Sequence, residues 1–243
     1  MNRSLLTLVM AASFLPVSGA ADSAATAVNT VGLELLGLAG KPGDNTAISP
    51  FSIQTALVMT YAGAEGETRK QMASVLHLGG DAVDSFAALQ KQITAAPESV
   101  TFSLANRLFG QEGYEFRKDY LGLLKDKFGA SLEPLDFRAN PQKAADHINA
   151  WVEKQTRDRI RNLIPEKGLS PDSRLVLVNA IYLKASWASP FNKAATSAKP
   201  FHFADGKTAD VPTMLREQSF GYRSDKGITA VSIPYAWTDL GFI

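Results

Sequence analysis

Three imidazoles, His77, His147 and His202, are the residues of this 243-residue chain best suited to acid–base or metal chemistry. They fall in three different stretches with no ligand-like spacing. No Gly-x-Ser-x-Gly elbow, Ser-x-x-Lys pair or His-Glu-x-x-His helix occurs. A hydrolytic triad would have to be assembled in space from one of these histidines, a serine and an acid. Gly206-Lys207-Thr208 matches the tail of a phosphate loop, but Phe201 stands where the leading glycine belongs. A tight hairpin turn accounts for Gly206 better. The chain contains no cysteine, which removes disulfides, thiolate metal sites and a cysteine nucleophile together. Nothing in these patterns calls for a metal, a nucleotide or another cofactor.

A second group of residues stands out by position. Asn179 lies in the middle of the most hydrophobic strand-like run, and a buried amide without partners costs about 1–3 kcal/mol. Ser49 and Ser52 flank the start of a strongly apolar helical run. Their hydroxyls can cap that helix, reach across to a strand, or do both. Trp187 closes the Asn179 run beside Pro190-Phe191. Taken residue by residue, a cap, a satisfied core amide and a packing aromatic would explain all four.

These residues are held by a recognisable order of elements. Helical spacing is read over Val28–Leu38, ending at a Gly-Lys-Pro-Gly turn. Asn45–Ile48 is short and extended. Ser49-Pro50 is a cap followed by proline at the first helical position, and the helix it opens, Pro50–Ala64, is apolar almost all round and expected to be buried. Thr68 and Gln71 are spaced as a capping box, with Met72, Val75 and Leu76 as the inner stripe of the next helix. Ala82–Ala95 is a further helix, carrying Lys91 as its single cation, too few for a polyanion groove. A strand around Phe102–Phe109 follows, then a helix with Tyr120, Leu124 and Phe128 on one face and Gly129 as its cap. Leu132–Phe137 is extended. Asn140-Pro141 opens a helix whose inner side carries Ala145, Ile148, Val152 and Thr156, with Pro165 and Gly168 ending it. Arg174–Ala185, apolar on both faces, reads as a central, doubly covered strand. Phe201–Ala204 and Lys207–Thr213 flank the Asp205-Gly206 turn. Phe220–Arg223, Ile228–Pro234 and Leu240–Ile243 are further strands. Helices first and antiparallel strands later give an α+β domain.

Composition sets outer limits. Hydrophobic residues make up 45% and charged residues 20%, values of a soluble globular chain with a core. Lys plus Arg is 25 against 24 for Asp plus Glu, so no global field favours nucleic acid or an anionic membrane. Met1-Asn2-Arg3, the apolar run Leu5–Val17 and the small residues Ser18-Gly19-Ala20 have the order of a secretory signal peptide cut after Ala20. The domain is then residues 21–243, and the mature protein is expected to be secreted or periplasmic and off the membrane.

The motifs, taken together, resemble the serpins, the serine protease inhibitor fold. Ile48-Ser49-Pro50-Phe51-Ser52-Ile53 with Ala56-Leu57, Gly63-Ala64 and Thr68–Met72 is similar to their first long motif. Ser103-Leu104-Ala105-Asn106, Ile148-Asn149-x-Trp151-Val152, and Leu177–Lys184 with Trp187 and Pro190-Phe191 follow in family order. So do Phe201-His202-Phe203, Val211–Met214 and Ile233-Pro234-Tyr235. Two positions depart: Ala185 and Asp158 stand where the family commonly has glycine.

The resemblance implies a three-sheet α+β domain whose large sheet can accept an extra strand. It implies a mobile loop offered to a protease, cleaved, and inserted as a strand that drags the acyl-enzyme across the molecule. New ladder bonds and buried side chains make such insertion irreversible, so the native state is metastable. Ser49, Ser52 and Asn179 match the family's polar switch beneath the opening sheet, and Trp187 matches the aromatic where insertion begins. The reactive loop lies after Ile243 in the family. Asp239–Ile243 reads as a strand just starting, so the expectation is an N-terminal portion, incomplete over 21–243 and inactive alone, with bare strand edges that favour self-association. The implied partners of the full-length protein are serine or cysteine proteases. A non-inhibitory serpin-fold protein serving binding or structure is the alternative. A secreted hydrolase is a third reading.

Overall fold

The computed structural model describes residues 20–41, 44–95, 100–203, 205–236 and 240–243. The apolar run read as an export signal lies outside them, as do Pro42 and Gly43 of the first turn and Ala204 at the end of a strand. Six α-helices are described: α1 (Ala20–Ala39), α2 (Pro50–Ala62), α3 (Gly66–Val75), α4 (Ala82–Thr94), α5 (Lys118–Phe128) and α6 (Pro141–Gln155). The strands are β1 (Thr101–Gln111), β2 (Ser131–Leu135), β3 (Leu175–Lys184), β4 (Ser197–His202), β5 (Thr208–Thr213), β6 (Gly221–Asp225), β7 (Ile228–Pro234) and β8 (Gly241–Phe242).

Three strands form a mixed sheet in the order β2-β1-β3, with β1 parallel to β2 and antiparallel to β3. Successive side chains point to opposite faces of a strand, so each face gathers its own core. Leu108, Leu175 and Leu177 pack with Val58, Met59, Phe86, Leu124 and Phe128 on one side, where α1, α2, α4 and α5 lie. Phe109, Val176 and Val178 pack with Phe137, Ile148 and Val152 on the other, under α6. The sheet is the middle of three layers. Helix α1 lays a small-residue stripe, Ala21, Ala24, Ala27, Val28 and Val31, against this assembly. A Cβ at Gly32 would come within 2.6 Å of the Pro50 ring, so glycine sets how closely α1 approaches α2.

The structure departs from the sequence-based expectations at several points. Strand β3 is covered on both faces, as expected, but it is an edge rather than the centre among the described residues; β1 is central. Apolarity on both faces reports what covers a strand, not what pairs with its sides. Helix α2 is not buried all round: Ile53 and Leu57 are 36% and 37% exposed, while the polar Gln54 and Thr55 are fully buried. Ser49 occupies the cap position, but its side chain makes no cap bond; its carbonyl accepts from Ile53 N at 3.0 Å. Helix α3 starts at Gly66, so Thr68 lies inside it and forms no capping box with Gln71. Val75 is 69% exposed, and only Leu76, just past the helix, is buried. Helix α6 ends at Gln155, well before Pro165, because Arg157 and Asp158 turn left-handed with φ 51° and 60°.

The later strands build two small sheets, the β4–β5 hairpin and the order β6-β7-β8. The first hairpin turns as expected at Asp205-Gly206: Gly206 has φ 86°, and Asp205 Oδ1 accepts from Lys207 N at 3.0 Å. Helices followed by antiparallel strands give the α+β class.

Candidate functional site: a polar relay under an edge strand

Helix α2 crosses beneath β3, and its first turn carries Ser52 to the middle of that strand. The Ser52 hydroxyl donates to Asn179 Oδ1. Asn179 Nδ2 donates to Asn106 Oδ1 at 2.6 Å. These two asparagines are direct partners in the β1–β3 register. Asn106 Nδ2 donates onward to the Phe128 carbonyl at 2.9 Å and to Gln90 Oε1 at 3.1 Å, and Gln90 Nε2 donates to the same Phe128 carbonyl at 3.3 Å. One chain of amides thus runs from α2 through β3 and β1 to α4 and the end of α5. Asn106 is buried, and the relay satisfies amides that would otherwise be costly inside the core.

Ser52 and Asn179 are brought together as the sequence suggested, and Ser49 is not. Its backbone is extended ahead of the helix and its residue is exposed, so it stays outside the relay. Asn106 and Gln90 were missed as site residues. An asparagine inside the apolar run of β1 was a usable signal for the first. The second needed the packing of α4 on the sheet.

At the far end of β3 a second constellation forms. Trp187 stacks on Tyr235 with ring centres 4.7 Å apart and planes 11° off parallel, and meets Phe191 and Phe242 edge-on at 6.1 and 6.0 Å. A backbone bridge joins Trp187 to Tyr235, flanked by Ala188 N to Pro234 O at 3.0 Å and Ala236 N to Ser186 O at 2.7 Å. Burial raises the Tyr235 phenol above its usual range. The stack ties the exit of β3 to β7.

The histidines do other work in three separate places. His77 meets Glu34 at 3.0 Å, and His202 meets the Thr208 hydroxyl at 3.0 Å. His147 on α6 meets Glu133 on β2 at 2.6 Å, and Glu133 also holds Arg107 of β1 at 2.5 Å, so this trio pins α6 to the sheet. A concavity of about 750 Å³ lies between the α2–α3 turn and the loop before α5. Most of its charged groups are engaged locally: Arg69 donates to the carbonyls of Tyr61 and Ala64, and Arg117 pairs with Asp119 and Glu65. Among the described residues no group of three or more His, Asp or Glu side chains could hold a metal ion. Also among them, no helix is long and apolar enough to cross a membrane.

The family model for serpins (serine protease inhibitors) matches residues 26–242. The chain belongs to the serpin family. It is 37% identical over 205 residues to a leukocyte elastase inhibitor of Bos taurus, covering 83% of this chain and 54% of that one. A serpin-like protein of Thermococcus kodakarensis is 38% identical over 221 residues, covering 89% of this chain and 51% of that one. Among solved structures, emu (Dromaius novaehollandiae) ovalbumin superposes with a TM-score of 0.85 at 27% identity, covering 92% of this chain and 62% of that one. The cleaved serpin 42Da superposes with a TM-score of 0.81 at 34% identity, covering 91% and 60%. The chain spans about half the length of the curated relatives it matches. Serpins are typically protease inhibitors. Of the two departures from the serpin pattern, Asp158 is accounted for: its φ of 60° is the left-handed conformation that glycine adopts freely and aspartate tolerates. Nothing in the structure explains Ala185.

Proposed function

We propose that this serpin inhibits a protease by loop cleavage and strand insertion. In that reading Ser52, Asn179 and Asn106 form the polar latch between α2 and the sheet, and the Trp187 stack marks the end where insertion begins. The observation that carries it is the relay itself. It joins the helix beneath the sheet to β3 through groups that can exchange partners when the sheet opens, whereas an apolar contact there would have no alternative arrangement. Irreversibility comes from new ladder bonds and newly buried side chains. The chain spans about half the length of the curated relatives it matches, so the inhibitory act is assigned to the whole protein. The protein is not an enzyme in this reading. Its partners are serine or cysteine proteases, and an elastase-type serine protease is the first to try, because a relative carries that name. Residues 1–20 direct export.

The test is incubation of the full-length protein with a panel of serine and cysteine proteases. A covalent complex that survives boiling in detergent, together with a rise in melting temperature on loop cleavage, supports inhibition. Clean cleavage with neither complex nor stabilisation would indicate the non-inhibitory alternative. Export is checked by finding the mature start after Ala20 in the extracellular or periplasmic fraction.

A further inference from the structure

The relay has a direction, and the structure shows where that direction originates. Helix α5 stops at Phe128 because Gly129 turns left-handed with φ 66°. The last carbonyls of a helix have no intrahelical donor. Gly129 N and Ala130 N bond the carbonyls of Lys125 and Leu124, leaving that of Phe128 for side chains. A carbonyl oxygen can only accept. The group that Asn106 presents to it, at 2.9 Å, must therefore be the amide NH₂. Gln90 reinforces this choice: its own NH₂ also points at the Phe128 carbonyl, at 3.3 Å, which turns its oxygen toward Asn106 to accept the second amide proton at 3.1 Å. Turning the Asn106 amide over would set its oxygen against two acceptors. With that amide fixed, Asn106 offers Asn179 only an oxygen, Asn179 must answer with its NH₂, and its remaining oxygen obliges Ser52 to donate.

We propose that Gln90, acting with the α5 terminal carbonyl, is the positioning residue for the Ser52–Asn179 contact: it fixes the donor–acceptor sense of the whole relay without touching either residue. The inference deepens the latch reading above and rests on it only for the link to strand insertion. Its chemistry belongs to the ground state. A further consequence is that α4 is coupled to the α2–β3 contact, so a shift of α4 on the sheet is felt at Ser52.

Two measurements on the full-length protein test this, and neither uses a protease. In Gln90→Leu the Asn106 amide loses one of its two holds, and the Asn179 side-chain NH₂ protons should exchange with water roughly three- to tenfold faster, the scale of one net hydrogen bond. Unchanged exchange at Asn179 overturns the proposal. In Asn179→Asp a carboxylate that only accepts meets the Asn106 oxygen, so the denaturation midpoint should fall. That fall should shrink when Gln90→Leu is added and Asn106 is freer to turn. Strict additivity of the two substitutions also overturns the proposal, since residues out of contact with one another couple only through Asn106. Should Asn179→Asp yield no folded protein, the exchange measurement in Gln90→Leu decides alone. A protein that passes both tests and inhibits no protease would refute the functional reading while leaving the relay's direction intact.

Discussion

The stretch up to β3 and the stretch after it solve the same problem differently. In the first, Phe86, Phe109, Phe128 and Phe137 are fully or almost fully buried between helices and sheet. In the second, Phe201 and Phe203 are 43% and 46% exposed, and Tyr222 and Ile228 are 68% and 72% exposed. Packing specifies register in the first region, because a slip of one residue would send Leu108 and Phe109 to the wrong faces. Turn chemistry specifies it in the second: Asp205-Gly206 closes one hairpin, and Lys226 and Gly227, with φ 47° and 81°, close the other. The aromatic stack at Trp187 is where the two regimes are joined.

The contrast can be broken most forcefully at its phenylalanines. Phe109→Ala should cost about 3–5 kcal/mol, whereas Phe201→Ala should cost under about 1 kcal/mol, read as denaturant midpoints of the full-length protein. Equal losses would mean that the hairpin region is packed as tightly as the sheet sandwich. Asn179→Leu comes next, at about 1–3 kcal/mol, because it leaves the Asn106 oxygen without its donor inside the core. A neutral or stabilising result would show that the relay is dispensable to the ground state and would confine its role to insertion. Gly206→Ala should cost about 1–2 kcal/mol through the left-handed backbone at that turn, and a null effect would mean that the hairpin register has another determinant.

The smallest expected effect sharpens the buried side of the comparison. The Tyr120 hydroxyl donates to the Met59 carbonyl at 3.2 Å, and burial raises its phenol above the ordinary range. A folded-state value above the unfolded one of 10.0 leaves stability intact below pH 10 and removes it as pH climbs through the folded value. Tyr120→Phe should cost about 1 kcal/mol at neutral pH and should flatten this alkaline loss in midpoints measured between roughly pH 9 and 12. An unchanged alkaline loss would place its origin in other residues.

Helix existence was legible because its signals are local. The fourfold spacing of Tyr120, Leu124 and Phe128 with Gly129 at its end, and Asn140-Pro141 before Ala145, Ile148 and Val152, need no partner to be read. The exit of α6 was read too far downstream, at Pro165: Arg157 carries no sign of its left-handed backbone, and the only hint was Asp158 at a position where the family commonly has glycine. The fate of Val75 was equally hidden, because a stripe reads the same whether or not another layer comes to cover it.

By itself, then, the sequence determined the order of elements, the α+β class, the Asp205-Gly206 turn and the unusual placement of Ser52 and Asn179, because period, turn residues and a polar residue in an apolar run are properties of neighbours along the chain. Only the tertiary structure decided that β1 is central, that Asn106 faces Asn179 across the ladder, that Ser49 stays outside, and that a helix-terminal carbonyl at Phe128 orients the relay. Each of those facts depends on which distant segment lies alongside, and hydrogen-bond direction in particular depends on an atom that can accept but never donate.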